Sequence, residues 1–342
     1  MSFRISVLPG HERFSAEVGE SLVDAALRQG LQLPYSCRDG VCGACRGKVL
    51  AGEVEHGRAV ISQADREAGF ALLCCASAKS DLTIESHAVR ASQVIPVKTL
   101  PARVEHLELM APDVMQVVLV LPETAGFAYQ PGQYIDILLK GGKRRAFSLA
   151  NAPRPDGRLE LHVRRVPGGF FTEQVFTTLK ARDILRFNGP HGSFRWRESA
   201  KPALLVAGGT GFAPIKALVE EMLSATESAA LSRREVTLYW GGKAPADLYQ
   251  SALAEVWASR HPFFRFVPVL SDAAPQDPWS GRRGLVHEAL MADYPDLSGH
   301  QVYVCGSPAM VAAVRRDLVA QCHLPEEELF ADSFEFARDA ME

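Results

Sequence analysis

The sequence predicts a multi-domain chain that combines an α+β β-grasp domain, a six-stranded antiparallel β-barrel and an α/β domain with a parallel sheet. Three observations support this fold class. A cysteine-rich loop follows a strand, strand and helix pattern near the N-terminus, six short alternating segments fill residues 100–198, and strand and helix patterns alternate from residue 203 onward. We place the three domains at residues 1–92, 93–200 and 201–342.

Composition narrows the class of protein. The 342 residues are 47% hydrophobic and carry a formal charge of −3, which is ample material for two or three cores. The N-terminus lacks a signal-peptide pattern and no window approaches about 18 consecutive apolar residues, so we expect a cytoplasmic protein. With 37 basic against 40 acidic residues, we expect neither nucleic acid nor a membrane as a partner.

The N-terminal segment reads as a hairpin followed by a helix. Strand-like "FRISVL", a turn at "PGHE" and strand-like "RFSAEV" precede "SLVDAALRQG". Ser21 stands three positions before Asp24 as a capping signal, and Gly30 provides a helix stop. Hairpin, helix and then a cysteine loop is the order of a β-grasp domain.

The loop "SCRDGVCGAC" has the spacing of an iron–sulfur ligand set. Cys37, Cys42 and Cys45 follow a C-x4-C-x2-C pattern, and a fourth candidate comes from the adjacent Cys74 and Cys75. This is the plant-type 2Fe–2S spacing. The alternative is structural zinc, which normally uses two C-x2-4-C pairs, whereas this loop has one. In a reducing compartment, a metal site is favoured over disulfides.

Two glycines fit a loop that wraps an inorganic cluster. Gly40 and Gly43 lie between the cysteines. Backbone N–H groups must come close to the sulfurs, and side chains at these positions would obstruct that approach.

The middle of the chain predicts the barrel. Six strand-like segments are separated by turns: "ARVEHLELM", "MQVVLVLP", "QYIDILLK", "RRAFSLAN", "RLELHVRRV" and "DILRFNGP". Between the fifth and sixth lies "GGFFTEQVFTTLK", where a glycine pair opens a short helix. The N–H groups at such a helix start suit a phosphate, although glycines there also simply turn the chain.

The last third predicts βα units. "ALLVA" leads into "GGTGFAPIKALVEEM", in which Ile215, Leu218, Val219 and Met222 share one helical face. Further strands are "EVTLYW", "FRFVPVL" and "QVYVC", and a ligand is expected at the carboxyl ends of these parallel strands. Pro214 stands where the dinucleotide fingerprint has its third glycine, so the loop alone leaves a phosphate site and plain helix–strand packing open.

A later segment resembles the last-ligand segment of plant-type ferredoxins. "GFALLCCASAKSD" matches the family pattern at Gly69, Leu72, Cys74, Ala76, Ser80 and Asp81. The resemblance implies that Cys74 is the fourth cluster ligand beside Cys37, Cys42 and Cys45. Cys75 is then expected to be a small core residue.

Taken together, the motifs resemble the ferredoxin-NADP reductase superfamily over essentially the whole chain. The resemblance is to members that fuse a plant-type ferredoxin to FAD and NAD domains. It implies that the flavin is bound by two segments. The residues that it assigns to the flavin are Arg145, Phe147, Ser148, Ala150 and Asn151 from the fourth barrel strand, and His162, Val163, Arg164, Gly168, Gly169 and Thr172 from the second segment.

The same resemblance assigns catalytic and nucleotide-binding residues. Phe147 replaces the family's usual tyrosine, while Ser148 is expected to hydrogen-bond the isoalloxazine near N5, and Cys305 to lie near the hydride path. The NAD(P) residues that it implies are Gly208, Gly209, Thr210, Gly211, Pro214, Cys305, Gly306, Ser307 and Met310. Phe334, with Phe336 as the alternative, is the expected C-terminal aromatic over the flavin face.

The resemblance implies an electron-transfer reductase. NADH would deliver a hydride to FAD, and a 2Fe–2S cluster would pass single electrons to a partner protein. We favour NADH over NADPH because "YWGGKAPADLY" offers one Lys243 and the acidic Asp247 rather than a basic phosphate site. Two groups of relatives fit: reductases that serve a CDP-6-deoxyhexulose dehydrase, which "LLCCASAKSD" and "FADSF" favour slightly, and reductase components of Rieske or diiron aromatic-ring oxygenases.

The charge of the first domain argues against strong electrostatic docking. Residues 1–92 hold 10 Lys/Arg and 11 Asp/Glu, which is a net charge of −1. The domain therefore lacks an acidic field that would steer basic partners, and we expect docking to depend weakly on salt.

Overall fold

The computed structural model describes residues 1–86, 95–224, 234–273 and 278–333, together with the backbone of Val89–Arg90. Contacts divide the chain into two compact units. Unit 1 comprises residues 1–96 with 192–194, and unit 2 comprises residues 97–191 with 195–342. The predicted domain limits at 92/93 and 200/201 stay predictions.

Unit 1 has the β-grasp architecture that the sequence predicts. Its main sheet has the order β2-β1-β8-β4-β6, in which β1 and β8 are parallel and the other neighbours antiparallel. Its elements are β1 (Ser2–Leu8), β2 (Glu12–Glu17), α1 (Leu22–Arg28), β3 (Leu31–Gln32), β4 (Arg46–Ala51), β5 (Val54–Glu55), α2 (Gln63–Glu67), β6 (Phe70–Leu72), β7 (Ser77–Ala78), β8 (Leu82–Glu85) and β9 (Val89–Arg90).

Helix α1 begins and ends as predicted. The Ser21 hydroxyl accepts a hydrogen bond from the Asp24 N–H at 3.1 Å, and Gly30 follows the helix with a φ of +73°. Leu22, Val23 and their neighbours on α1 bury their side chains against the sheet, in a core that extends to Cys45 and Cys74. The cysteine loop is therefore anchored on the core of unit 1.

The first part of unit 2 is the predicted six-stranded antiparallel barrel. Its strands follow the order β13-β12-β15-β10-β11-β14, and a bridge between Leu149 and Leu161 joins the two ends. Its elements are β10 (Lys98–Ala111), β11 (Val114–Val120), β12 (Tyr134–Leu138), β13 (Arg144–Ser148), β14 (Arg158–Arg164), α3 (Phe170–Thr177) and β15 (Ile184–His191). All six strand predictions are confirmed.

The second part of unit 2 is a parallel sheet with the order β19-β18-β17-β16-β20-β21. Its elements are β16 (Ala203–Gly208), α4 (Phe212–Ser224), β17 (Val236–Gly242), α5 (Ser251–Arg260), β18 (Phe264–Leu270), β19 (Arg282–Arg283), α6 (Val286–Asp293), β20 (Gln301–Gly306), α7 (Pro308–Gln321) and β21 (Leu329–Ser333). The α/β prediction is confirmed, with β21 as an additional edge strand.

Among the described residues, no helix combines the length and apolar character that a membrane crossing requires.

Candidate functional site

The four predicted cluster ligands lie in unit 1 as two pairs of thiols. The sulfurs of Cys45 and Cys74 are 3.2 Å apart, and the thiols of Cys37 and Cys42 share a hydrogen bond. Cys37 also acts electrostatically on Cys74, so the pairs are neighbours. Within the described part of the chain, no three metal-binding side chains surround one point. Two pairs suit a two-iron cluster, whose irons each take two protein ligands.

The thiols of Cys37 and Cys42 have different pKa values. The hydrogen bond from Cys42 lowers the pKa of Cys37 to about 5, although burial opposes this shift, and backbone N–H groups of the loop lower it further. The pKa of Cys42 rises because Cys37 takes the thiolate role and because Cys42 is buried. Thiolates are the metal-binding form of cysteine, so loop N–H groups aimed at Cys37 fit the proposed ligand role.

The two loop glycines serve different purposes. A Cβ at Gly40 would stand 2.7 Å from the Cys75 sulfur and 2.9 Å from the Ala59 Cα, so this position has no room for a side chain. A Cβ at Gly43 would meet nothing within 4 Å, and the glycine is instead suited to its φ of +73°. The expected obstruction therefore applies to Gly40, whereas Gly43 supplies a left-handed backbone.

Cys74 and Cys75 face different surroundings. The Cys74 sulfur lies beside Cys45, while Cys75 is half-buried and its sulfur is 3.8 Å from that of Cys74. Cys75 packs at the edge of the unit 1 core, close to its expected role. This arrangement supports Cys74 as the proposed fourth ligand.

In unit 2, a buried polar triad lies where the barrel meets the parallel sheet. The Ser148 hydroxyl at the end of β13 donates to Asp332 Oδ2 at 3.4 Å, and Cys305 Sγ is 3.9 Å from the same oxygen. Cys305 on β20 and Asp332 on β21 are register partners. Burial raises the pKa of the Cys305 thiol, and the Asp332 carboxylate raises it further. The thiol therefore stays protonated at neutral pH.

Asp332 is the functional candidate that sequence reasoning missed. In the segment "LFADSFEF" the predicted site residue is Phe334, with Phe336 as the alternative, and both lie outside the described residues. The neighbouring Ser333 hydroxyl is buried and has no hydrogen-bond partner within the described chain. A buried hydroxyl beside Asp332 is a polar contact that a bound ligand would satisfy.

The flavin residues predicted on β13 lie on two sides of the strand. Phe147 packs against Phe171 with ring centroids 5.4 Å apart, and the half-exposed Arg145 donates to the Arg144 carbonyl at 2.7 Å. Ser148 is buried at the triad. An aromatic ring, a guanidinium and a hydroxyl on one short strand suit a flavin with its phosphate chain.

Two other predicted flavin residues are committed to protein contacts. The Asn151 amide bonds to backbone groups of Ala152, Arg158 and Glu160, which braces the turn after β13. Both ring nitrogens of His162 are engaged, with Glu160 Oε1 and the Tyr249 hydroxyl each at 2.8 Å. Their assignment to the flavin stays a prediction, as does that of Ala150 and of Val163, which lies in the barrel core.

The predicted pyrophosphate segment combines free N–H groups with a paired arginine. Gly169 caps α3 with no side-chain hydrogen bond. Its own N–H donates to the Val166 carbonyl at 2.8 Å and the Gly168 N–H bonds to Glu173, so the N–H groups left for a phosphate are those of the first helical turn. Gly168 has a φ of +73°, and the Thr172 hydroxyl bonds to Val166. Arg164 donates to Asp247 Oδ1 at 2.7 Å through Nη2, while its buried Nε has no hydrogen-bond partner within the described chain, so the guanidinium keeps donors for a phosphate.

The glycine loop after β16 is packed tightly against the end of β20. A Cβ at Gly211 would stand 2.1 Å from the Cys305 carbonyl oxygen, and one at Gly208 would stand 2.5 Å from the Met310 sulfur. A Cβ at Gly306 would meet Met310 at 2.8 Å. Packing against the β20 backbone thus requires glycine at Gly211, whereas at Gly208 and Gly306 the end of the flexible Met310 side chain could move aside. The same loop also brings backbone N–H groups to the start of α4.

The remaining predicted nucleotide residues lie around this loop. Gly209 has a φ of +52° and its carbonyl accepts from the Trp240 indole at 3.0 Å. Thr210 is half-buried in the turn before α4, Pro214 is buried in the first turn of α4, and Ser307 caps α7 by accepting from the Met310 N–H. The predicted NAD(P)-binding residues therefore lie together at the carboxyl ends of β16 and β20.

A buried charge network joins the barrel to α4. Lys216 Nζ lies 2.9 Å from the Ala150 carbonyl, 3.2 Å from Glu160 Oε2 and 2.6 Å from Glu220 Oε1. The exposed fractions of the Lys216 and Glu160 side chains are 4% and 7%. Ala150 is two residues after Ser148, so this network holds the chain that carries the triad hydroxyl.

The fold and these sites define a class of protein, namely an iron–sulfur flavoprotein oxidoreductase. Residues 6–79 match the 2Fe-2S iron-sulfur cluster binding domain, residues 101–196 the oxidoreductase FAD-binding domain, and residues 205–316 the oxidoreductase NAD-binding domain. The chain belongs to the ferredoxin-NADP reductase superfamily, among the reductases that combine a plant-type ferredoxin with FAD and NAD domains.

Relatives from different systems match over nearly the full chain. The CDP-6-deoxy-L-threo-D-glycero-4-hexulose-3-dehydrase reductase of Yersinia pestis is 38% identical, with 98% of this chain and 99% of the relative covered. The aromatic O-demethylase reductase subunit of Amycolatopsis is 40% identical, with 92% and 93% covered. The crystal structure of an Amycolatopsis cytochrome P450 reductase is 37% identical, with a TM-score of 0.74 over 97% of this chain and 98% of that one.

Proposed function

We propose that this reductase takes electrons from NADH and delivers them to the dehydrase of a CDP-6-deoxyhexulose. When bound, FAD accepts the hydride of NADH and the 2Fe–2S cluster passes electrons singly. The observation that carries the acceptor is the 38% identity to the dehydrase reductase over essentially both whole chains. The segments "LLCCASAKSD" and "FADSF" favour the same group.

In this proposal the triad positions the hydride acceptor. Because the Ser148 hydroxyl donates to Asp332, its oxygen keeps lone pairs that would accept a hydrogen bond from the N5–H of reduced flavin. The oxidised N5 carries no hydrogen, so to bond to it the hydroxyl would have to turn from Asp332 and donate. The protonated Cys305 thiol fills the end of β20 and presents no charge there. Asp332 is a positioning residue, since it orients both groups from a buried site.

The proposal keeps NADH as the preferred donor. Asp247 accepts hydrogen bonds from the N–H groups of Lys243 and Ala244 at 2.9 and 3.1 Å, immediately after β17. Although burial opposes it, these bonds and the nearby Arg164 lower the pKa of Asp247, so its carboxylate is ionised at neutral pH. A carboxylate in this segment disfavours an additional phosphate on the nucleotide.

A second acceptor class has its own support. The 40% identity to an aromatic O-demethylase reductase subunit favours the reductase component of an aromatic oxygenase. Both alternatives share the route through a protein acceptor and differ in the partner alone. The predicted cytoplasmic location applies to either.

An anaerobic NADH titration followed by visible absorption and low-temperature EPR tests the electron route. We expect flavin bleaching together with a rhombic signal from the reduced cluster. Bleaching without that signal would end the electron route at the flavin, and absence of the signal after dithionite reduction as well would refute ligation of a 2Fe–2S cluster by Cys37, Cys42, Cys45 and Cys74. Stopped-flow reoxidation of the reduced protein by a purified dehydrase or an aromatic oxygenase component then decides the acceptor, because the true partner reoxidises the cluster faster.

A further inference from the structure

Arg58 is an exposed arginine whose contacts converge on the cluster loop. Its Nη2 lies 2.8 Å from Asp39 Oδ1 and 3.3 Å from the Arg38 carbonyl oxygen, both inside the loop. Its guanidinium also interacts electrostatically with the side chain of Cys75, which adjoins the proposed ligand Cys74 and raises the pKa of Arg58. One side chain therefore ties the first half of the ligand loop to the segment that carries the last ligand.

The backbone on either side of Arg58 packs against the cysteine loop and against Cys75. We call residues 57–60 the cover segment. A Cβ at Gly57 would stand 2.6 Å from the Cys75 carbonyl oxygen, the Ala59 Cα lies against Gly40, and the Val60 N–H donates to the Gly40 carbonyl at 2.8 Å. Gly40 is thus enclosed between Cys75 and the cover segment. The Arg58 guanidinium therefore lies between the loop that carries the first three proposed ligands and the segment that carries Cys74.

We propose that Arg58 is a positioning residue of the iron–sulfur site, which holds the cover segment over the ligand loop and favours the reduced cluster through its positive charge. The inference rests on the proposed ligation by the four cysteines. Reduction adds one electron, and therefore one negative charge, to a group that already carries four thiolates. A nearby cation stabilises the added charge, and hydrogen bonds around the sulfurs set the potential in such sites.

The Asp39 carboxylate reduces the effect of the Arg58 charge on the cluster potential. Its carboxylate pairs with Arg58, and both side chains are more than half exposed, so solvent screens the pair. Removing Arg58 leaves Asp39 without this partner beside the ligands, which adds to the loss of positive charge. Removing the Asp39 charge has the opposite sign. The two substitutions together should therefore nearly cancel, which a loss of packing would not produce.

The test measures the midpoint potential of the cluster by spectroelectrochemistry and the rate of iron loss to a chelator. We expect the Arg58→Gln variant to hold about threefold to tenfold less reduced cluster at a fixed potential, a shift of up to about 59 mV for one electron. Its iron should be lost several-fold faster, because the cover segment loses its ties. Arg58→Lys should restore the potential while iron loss stays fast.

Two further variants sharpen the test. Asp39→Asn should raise the potential, and Asp39→Asn combined with Arg58→Gln should return it close to that of the unmodified protein. Arg4→Gln is the matched control, since Arg4 is an exposed arginine of the same unit that pairs with Asp81, the residue before β8. It should change neither quantity.

The outcomes separate this role from the cluster assignment. If Arg58→Gln and Arg4→Gln have equal potentials and equal rates of iron loss, Arg58 has no positioning role. A potential that falls equally in the Lys and Gln variants would overturn the charge effect. An unmodified protein that holds no 2Fe–2S cluster would refute the ligand assignment itself, and the inference with it.

Discussion

Oppositely charged side chains are paired in both units, but the burial of the pairs differs. In unit 1, Arg4 and Asp81 are 88% and 54% exposed. In unit 2, Lys216 and Glu160 are 4% and 7% exposed. Each pair joins a cation to a carboxylate, yet water solvates the first pair and is excluded from the second. Exposed pairs contribute little to stability, whereas removing one partner of a buried pair leaves an uncompensated charge.

The buried network also joins parts of unit 2 that are distant in sequence. Lys216 belongs to α4 beside the parallel sheet, while Ala150 and Glu160 belong to the barrel. Tyr249 extends the network by its bond to His162. The same contacts fix the chain that follows Ser148. Burial of charge therefore correlates with the place where the hydride site is assembled, while surface charge surrounds the cluster loop.

The largest expected effect comes from breaking the buried pair. Lys216→Met removes the buried cation between Glu160 and Glu220 and leaves them only the more exposed Arg154 guanidinium, at 3.8 and 3.4 Å. We expect unit 2 to lose about 3–5 kcal/mol of unfolding free energy. All four tryptophans lie in unit 2, so urea unfolding followed by tryptophan fluorescence reports this unit. A loss below about 1 kcal/mol would contradict the importance of burial.

A control variant is available in the same unit. Lys201 pairs with Glu328 at 2.6 Å, and its side chain is 39% exposed. Lys201→Met should cost no more than about 1 kcal/mol. Combining Lys216→Met with Glu160→Gln should recover part of the loss, because the stranded carboxylate is then neutral.

Acid should weaken unit 2 through the same network. Burial would raise the pKa of Glu160, but the His162 hydrogen bond and the Lys216 charge outweigh it and lower the pKa to about 2 from an ordinary 4.5. A lowered carboxyl pKa stabilises the fold above pH 4.5, and this contribution is lost as the pH falls toward 2. We expect about 3 kcal/mol of such loss.

His162 extends the acid effect to a higher pH. Burial lowers the pKa of His162, so the folded chain holds the ring neutral and resists its protonation. Stability should therefore begin to fall below about pH 6.5 and fall further below pH 4.5. Urea midpoints of unit 2 at several pH values check this order. Glu160→Gln should flatten the steeper acid limb, and an unchanged midpoint from pH 7 to pH 4 would exclude the prediction.

Breaking the exposed Arg4–Asp81 pair of unit 1 should change stability far less than breaking the buried pair of unit 2. Arg4 bonds to Asp81 through its backbone N–H and its guanidinium. Because water replaces the side-chain contact readily, Arg4→Gln should shift the thermal midpoint of the cluster absorbance by no more than about 2 °C. A shift as large as that of Lys216→Met in unit 2 would show that exposure does not separate the two regions.

Added salt should have the smallest effect of all, and it should act on electron transfer to the acceptor. Around the cluster loop, Arg58 pairs with Asp39, Arg38 pairs with Asp24, and Arg46 pairs with Asp65. Because these charges are neutralised locally, electron transfer to the acceptor should change less than about threefold between low and high ionic strength. A steep fall in coupled turnover with added salt would instead indicate electrostatic steering.

Local patterns were readable from the sequence, whereas long-range convergence was not. The C-x4-C-x2-C spacing, the Ser21 cap and the six barrel strands depend on neighbours along the chain. Asp332 is 184 positions from Ser148, and the two meet only because β21 pairs with β20 beside the barrel. Lys216 stands among apolar residues of an amphipathic helix, where a lysine usually reaches solvent. Its burial depends on carboxylates that other elements supply.

Unit 1 also has a consequence for synthesis on the ribosome. Its last residues, 192–194, are made after the whole barrel, and the Tyr35 N–H donates to the Ser193 hydroxyl at 2.9 Å. At about 5–20 residues per second, the nascent N-terminal unit waits at least several seconds for this segment. A fragment that ends at residue 92 never receives it. We expect such a fragment to lack the Tyr35–Ser193 hydrogen bond and to gain stability when residues 192–194 are grafted onto it.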